Sequence, residues 1–381
     1  MKRKILKTLK WLGLGLLVII LLVSIIAALF MNFSPQFGGE VSEEQEAEYA
    51  LTGHYADGIF LNDEEIIMQT DCHSIKKMIG EMFEPDPRVS PKTNIEVIPF
   101  DVESIGSLHD SLARITWLGH SSFLIEMAGK TILLDPIFGQ YAAPHSLLGR
   151  KRYNSEMPFK LESLDHIDAV IISHDHYDHL DYPTINTIKA KTKQFFVPLG
   201  VDNHLRSWGI TDANIEAMDW WNETALGDIN IAFTPSRHMS GRAMGDQSAT
   251  LWGSWVLSSP RHNFYFSGDG GYGKHFKAIG EQYGPFDIGL MECGQYNELW
   301  ANVHMMPEQT VQAGKDVGAR LIMPIHWGSF TLATHAWTDP VERVTEAAKA
   351  LALPITTPQI GESVVLPGHA WPTERWWEQV D

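Results

Sequence analysis

Ser173-His-Asp-His-Tyr-Asp-His179 follows directly on the apolar run Asp168-Ala-Val-Ile-Ile172. His174, His176, Asp178 and His179 therefore crowd the exit of what reads as a buried strand. Imidazoles and a carboxylate make the N/O donor set that suits Zn²⁺ or a related divalent ion. His174 and His176 alternate, so both project to one side, while Asp178 and His179 are adjacent and can serve a second ion a few ångströms away. A solvated histidine-rich loop is the plainer reading, but spacing and strand context favour a metal.

Three further donors sit past short apolar runs in the same way. His238 follows Ile229-Asn-Ile-Ala-Phe233, Asp269 follows Phe264-Tyr-Phe266, and His326 follows Arg320-Leu-Ile-Met-Pro-Ile325. Sites of layered α/β proteins collect at such strand ends. The expected division gives one ion His174, His176 and His238, and the other Asp178, His179 and His326, with Asp269 bridging. Each ion keeps an open position, which marks a catalytic site. Water held between two such cations loses a proton near neutral pH, its pKa lowered to roughly 7, and attacks a phosphoryl or carbonyl centre. Asp178, Asp269 and His304 are the candidate catalytic residues.

Other positions carry paired readings. Asp135 either orients a ligand imidazole from behind or makes an ordinary Asp-Pro turn. His120 is a supporting residue or a buried, hydrogen-bonded histidine. His304 either donates to a phosphate oxygen or leaving alkoxide, or caps the helix that follows. Tyr272 and Tyr296 contact substrate or serve as packing.

Thr116-Trp-Leu-Gly-His120, Leu134-Asp-Pro-Ile-Phe138, Ile172 to Tyr182, Phe233-Thr-Pro-Ser-Arg-His238, Gly268-Asp-Gly-Gly-Tyr272 and Ile325-His-Trp-Gly-Ser-Phe330 keep one order along the chain. Together they resemble the metallo-β-lactamase superfamily. The blocks Asp219-Trp-Trp221 and Leu251-Trp-Gly-Ser-Trp255 are similar to its N-acylphosphatidylethanolamine-hydrolysing phospholipase D branch. The resemblance implies a four-layer αββα sandwich, two Zn²⁺ held by the seven donors named above, and a phospholipid phosphodiester as substrate. It also implies a homodimer. The chain departs from the animal enzymes at Glu292-Cys-Gly-Gln-Tyr-Asn297, a loop placed to line a substrate channel.

The elements that must position these groups are short. Ala113–Trp117, Phe123–Met127, Thr131–Leu134 and Ala169–Ile172 read as strands, and a second β-rich series runs from about 215 to 366. Helices are expected near 66–82, over 183–191 with Asp181 as cap, and over 307–317. The catalytic domain is expected over 112–368, with 32–111 wrapping it or forming part of a lid. Residues 369–381 form an aromatic tail whose Trp371, Trp376 and Trp377 either rest at a membrane interface or cover the sandwich. Trp220, Trp221, Trp252 and Trp255 are expected in the core.

Residues 1–10 carry Lys2, Arg3, Lys4, Lys7 and Lys10, and the run Trp11–Met31 has no charge and one hydroxyl, Ser24. At ~1.5 Å per residue that run spans about 30 Å, the thickness of a bilayer's hydrocarbon core. A cleaved signal peptide is the rival, but no small-x-small site ends the run, so an uncleaved anchor is favoured. The basic flank would stay in the cytoplasm and the rest of the chain outside it. All five of those charges precede Trp11, so the remainder is more acidic than the net −18 of the whole chain. Such a surface repels nucleic acid, which argues against a nuclease. Cys72 and Cys293 are too few for a disulfide scaffold, and whether they pair is open.

The function expected is a membrane-anchored di-zinc phosphodiesterase of phospholipase D type. The alternatives are another hydrolase on the same site, such as a lactonase or β-lactam hydrolase, and a non-catalytic envelope metal-binding protein.

Overall fold

The computed structural model describes residues 2–68, 71–368 and 370–380. Helix α1 (Lys2–Phe33) opens the chain and is exposed along its apolar length. It is long and apolar enough to cross a membrane. A wrapping segment follows, with α2 (Glu43–Tyr49), the hairpin β1 (Tyr55–Ala56) and β2 (Ile59–Phe60), and α3 (Cys72–Phe83). The helix expected from Ile66 starts at Cys72 because Asp71 caps it, accepting from the N–H groups of His73 and Ser74; residues 69 and 70 lie outside the described residues.

The first sheet contains β3 (Ala113–Trp117), β4 (Phe123–Met127), β5 (Lys130–Leu134) and β6 (Ile167–Ile171). It continues through α4 (Tyr182–Ile188), β7 (Thr192–Pro198), α5 (Val201–Ser207) and β8 (Ile215–Met218). The second contains β9 (Glu223–Leu226), β10 (Ile229–Thr234), β11 (Ser254–Ser258) and β12 (Asn263–Phe266). After α6 (His275–Tyr283) come β13 (Ile288–Glu292), α7 (Pro307–Asp316), β14 (Ile322–Ile325) and α8 (Asp339–Ala350). Strand β15 (Ser363–Leu366) then returns to the edge of the first sheet. The strand orders are β15-β3-β4-β5-β6-β7-β8 and β14-β13-β12-β11-β10-β9.

Alternation along the strands makes the layers. Ile125, Ile132 and Ile171 from one sheet meet Ile231, Trp255 and Leu290 from the other in the central core. Their neighbours Leu124, Leu133 and Val170 point outward onto Ile185, Ile188, Val201 and Leu205 of α4 and α5. Val256, Tyr265 and Met291 point the other way, onto Phe276, Val311 and Val344 of α6, α7 and α8. The result is the αββα sandwich. β6 is buried throughout because it lies between parallel neighbours β5 and β7.

Pairing directions decide where the loops go. β4 is antiparallel to both β3 and β5, and β5 and β6 are parallel, so β3, β5 and β6 end at the same edge. In the second sheet β11 is antiparallel to both β10 and β12, and β12, β13 and β14 are parallel, so β10, β12, β13 and β14 likewise run one way. The sheets are pinned together at this edge, where the Gly253 N–H donates to the Ser173 carbonyl at 3.1 Å and Trp255 Nε1 to the Ile172 carbonyl at 2.9 Å.

Of the expected core tryptophans, Trp220, Trp252 and Trp255 are buried, but Trp221 is partly exposed, at a left-handed turn with φ 68°. Trp376 and Trp377 are buried, the first stacked on Trp327 and the second edge-on to it, so these two tail residues cover the sandwich.

Candidate metal centre

Every donor leaves the C-terminal end of one of the co-directed strands: His120 after β3, Asp135 after β5, His174 to His179 after β6, His238 after β10, Asp269 after β12 and His326 after β14. The turns are tight. His120, Asp135 and His326 all take positive φ, at 55°, 37° and 67°, a conformation that non-glycine residues hold only where the surroundings enforce it. Gly268, before Asp269, is also at positive φ, and a Cβ there would stand 2.6 Å from the Gly253 carbonyl.

The side chains converge in two groups. His174, His176 and His238 form one, with His174 Nε2 to His176 Nδ1 at 2.9 Å and His238 Nε2 to His176 Nδ1 at 3.3 Å. His120, Asp178, His179 and His326 form the other. Asp269 stands between them. Its Oδ2 is 3.9 Å from Nε2 of both His174 and His238 and 3.2 Å from His179 Nε2, and its Oδ1 is 3.1 Å from His326 Nδ1.

Behind this layer the far nitrogens are held. Asp135 Oδ2 accepts from His179 Nδ1 at 2.7 Å, and the Asp135 carboxylate also accepts from the Ser173 N–H and hydroxyl at 2.7 and 2.5 Å. His238 Nδ1 donates to the Val303 carbonyl at 3.0 Å. Asn62, from the wrapping segment, brackets the His238 backbone by accepting its N–H at 3.0 Å and donating to its carbonyl at 2.8 Å. His120 Nε2 donates to Asp178 Oδ2 at 2.9 Å, which makes His120 a brace for that carboxylate.

These donors fit metal ions. His179 Nε2 and Asp269 Oδ1 are buried and have no hydrogen-bond partner among the described residues, although each lies among the other donors. A buried polar atom left this way is costly unless something coordinates it. Burial holds His174, His238 and His326 well below the usual imidazole pKa, so they present neutral lone pairs. Burial works to lower His179 too, but Asp269, Asp178 and Asp135 outweigh it and raise it well above, a proton that a cation at Nε2 would displace. Burial pushes the Asp178 and Asp269 carboxyls up, but the surrounding histidines outweigh it and hold both well below the carboxylate range. Neutral imidazole and ionised carboxylate are the metal-binding forms.

A cavity of ≈ 260 Å³ opens over the cluster, lined on one side by His176, Asp178, His238, Asp269 and His326, and on the other by His304, Trp300, Gln295 and Met68. His304 Nδ1 faces Glu292 Oε1 at 3.3 Å, and the other Glu292 oxygen accepts from the Met305 N–H at 2.9 Å. Burial pushes Glu292 up to about 7. Burial works to lower His304, but Glu292 outweighs it and raises the imidazole. Motif spacing marks Glu292 only as the start of a channel-lining loop, but it is buried at the end of β13, after an apolar run of the kind that precedes Asp269 and His326.

Tyr272 and Tyr296 stand outside the cavity. The Tyr272 hydroxyl donates to Asp316 and its ring stacks on Phe276. The Tyr296 hydroxyl donates to Asp339, with Arg343 over the ring. Both point into the helical layer of the second sheet. Cys293 is a buried free thiol, pushed up by burial.

The family profile described as "Beta-lactamase superfamily domain" matches residues 130–327. The chain belongs to the metallo-β-lactamase superfamily. Membership makes it a metal-dependent hydrolase, and the His/Asp cluster described above is where metal can bind. An uncharacterised protein of Mycobacterium tuberculosis is 37% identical over 84% of this chain and 87% of its own length. The N-acyl-phosphatidylethanolamine-hydrolyzing phospholipase D 1 of Caenorhabditis elegans is 34% identical over 62% of this chain and 69% of its own. Among solved structures, Igni18, a metallo hydrolase of Ignicoccus hospitalis, superposes with a TM-score of 0.51 at 22% identity, covering 68% of this chain and 100% of its own, a likeness of fold. The superfamily sandwich thus carries the site on its strand-end edge.

Proposed function

We propose that this chain is a membrane-anchored phosphodiesterase of phospholipase D type, holding two zinc ions and hydrolysing N-acylphosphatidylethanolamine-like lipids. The observation that carries the reading is Asp269, set between two donor groups under a cavity whose opposite wall presents His304, with the buried Glu292 behind that ring. The relative that hydrolyses N-acylphosphatidylethanolamine supports the substrate class. Zinc held by His174, His176 and His238, and by Asp178, His179 and His326, with Asp269 shared, would acidify water and polarise a phosphoryl oxygen.

The chain's own groups supply the rest. Asp135, the Val303 carbonyl and His120 fix the directions of His179, His238 and Asp178. Water adds to phosphorus, the bond from phosphorus to the ethanolamine oxygen breaks, and His304 passes its proton to that departing oxygen. Glu292 holds the His304 ring and keeps it protonated. The products are phosphatidic acid and an N-acylethanolamine. α1 anchors the enzyme, its basic flank on the cytoplasmic side and the sandwich outside.

The test is hydrolysis of N-acylphosphatidylethanolamine by the purified full chain in mixed micelles, run in ¹⁸O-water. The expected result is one ¹⁸O in the phosphate of phosphatidic acid. Release of fatty acid by ester cleavage, or turnover of a β-lactam alone, sinks the proposal.

A further inference from the structure

Helix α3 is built inside out. Among its described side chains, those turned toward the protein are Ser74, Met78 and Glu81. The polar two are engaged: Ser74 donates to Asp71, and Glu81 accepts from Asn297 and Thr334. The outward line is Ile75, Ile79 and Phe83, which are 41%, 46% and 84% exposed. Their spacing of four residues puts them in one stripe along the helix. Helices of water-soluble domains turn such a stripe to the core, so an outward one calls for an apolar cover. Just upstream, Ile67 is 64% and Met68 40% exposed, and Met68 also lines the metal cavity.

We propose that α3 lies in the interface of the bilayer that α1 enters, with Ile75, Ile79 and Phe83 seated among the acyl chains. The inference rests on the reading of α1 as an anchor and of the substrate as a lipid. Three observations favour a bilayer as the occupant. First, Phe37, four residues past α1, packs on Tyr177 at 6.5 Å, and Tyr177 separates His176 from Asp178, both of which line the cavity with Met68. The exit from α1, and Met68 seven residues before Ile75, therefore both lie beside the strand-end loop that carries His176 and Asp178.

Second, Phe30 of α1 packs on His145 at 5.9 Å, and Leu147 and Leu148 just beyond it are exposed, so a second apolar point stands beside the anchor. Third, ≈ 260 Å³ holds a headgroup but not the acyl chains of a diacyl lipid, which must stay in an apolar medium while the phosphodiester enters. Lys76, exposed, borders the stripe as basic residues do in interfacial helices, where binding scales with the apolar area buried, while Lys77 on the other face pairs with Glu298 at 2.8 Å.

The experiment uses the full chain reconstituted in phosphatidylcholine vesicles containing a lipid with a photoactivatable group on its acyl chain. After illumination, peptide mapping is expected to find lipid adducts on residues 72–83 as well as on 11–31. In a variant carrying Ile75→Ser, Ile79→Ser and Phe83→Ser, adducts on 72–83 fall at least about tenfold. Adducts on 11–31, and hydrolysis of a soluble generic phosphodiester, stay as in the parent.

Adducts confined to 11–31, or residues 72–83 cross-linking to a second copy of the chain instead of to lipid, overturn the inference. Labelling of 72–83 in a protein that fails to cleave N-acylphosphatidylethanolamine supports this contact and removes the functional proposal. Cleavage of that lipid with 72–83 unlabelled does the reverse.

Discussion

Asp135 never reaches the cavity, yet its replacement by asparagine tests how the centre is held. Its carboxylate accepts from His179 Nδ1 at 2.7 Å, and from the Ser173 N–H and hydroxyl at 2.7 and 2.5 Å. That pattern places one imidazole proton on Nδ1 and leaves Nε2, 3.2 Å from Asp269, as the atom whose lone pair a cation would take. In Asp135→Asn the amide oxygen can keep the Ser173 N–H, but the NH₂ group then meets His179. Nδ1 must accept, and the ring proton moves to Nε2, the metal-facing atom. Loss of such a partner costs about 10–100-fold in metal affinity. That range corresponds to about 1.4–2.8 kcal/mol, taking each tenfold as about 1.4 kcal/mol.

Competition of zinc against a chromophoric chelator measures the effect directly. The parent is expected to bind two ions; the variant should weaken one by this factor and leave the other, on His174, His176 and His238, nearly unchanged. Adding His179→Ala to Asp135→Asn should then weaken metal binding by less than His179→Ala does in the parent. Two undisturbed affinities in Asp135→Asn would refute the reasoning.

Asp269→Asn should lower hydrolysis at least about 10²-fold with the far-UV spectrum intact, because the shared oxygen loses its charge; turnover like the parent's rejects the bridging role. Glu292→Gln removes the group that raises His304, so His304 loses its proton at lower pH. The alkaline limb of the kcat profile should move toward acid and kcat fall about 10–100-fold with KM little changed; an unmoved limb shows that the pair plays no part in proton transfer. His275 is buried with Nε2 unpartnered among the described residues, and burial pushes it down to about 3. Below about 6.5 the unfolded chain takes up this proton and the folded one does not, so His275 should cost about 1.4 kcal/mol of stability per pH unit as the pH falls from there toward 3. His275→Leu should flatten that slope in denaturant titrations, and equal slopes would count against the burial argument.

Much of the frame was legible because apolar runs bounded by turns are a strong signal. Ala113–Trp117 and Phe123–Met127 coincide with β3 and β4. β6 starts two residues before the expected Ala169, since Asp168 sits inside the strand, accepting the Thr131 N–H at 3.1 Å. A charged residue there reads as a boundary when its partner on the neighbouring strand cannot be seen. Convergence of the donors follows from strand direction, which an ordered set of strand-end ligands already suggests. Which groups stand behind them does not follow. His120 bracing Asp178 and Asn62 bracketing His238 span separations that only the folded topology closes. The α3 stripe was hidden for a different reason, because an amphipathic pattern shows that a helix has two faces and not which of them meets the protein.

The account depends most on a shared pair of cations. Anomalous diffraction at the zinc edge, from crystals of the zinc-loaded full chain, tests it directly. Two peaks are expected, one among His174, His176 and His238 and one among Asp178, His179 and His326, with an Asp269 oxygen reaching both. A single peak, or peaks away from these seven side chains, would contradict the account.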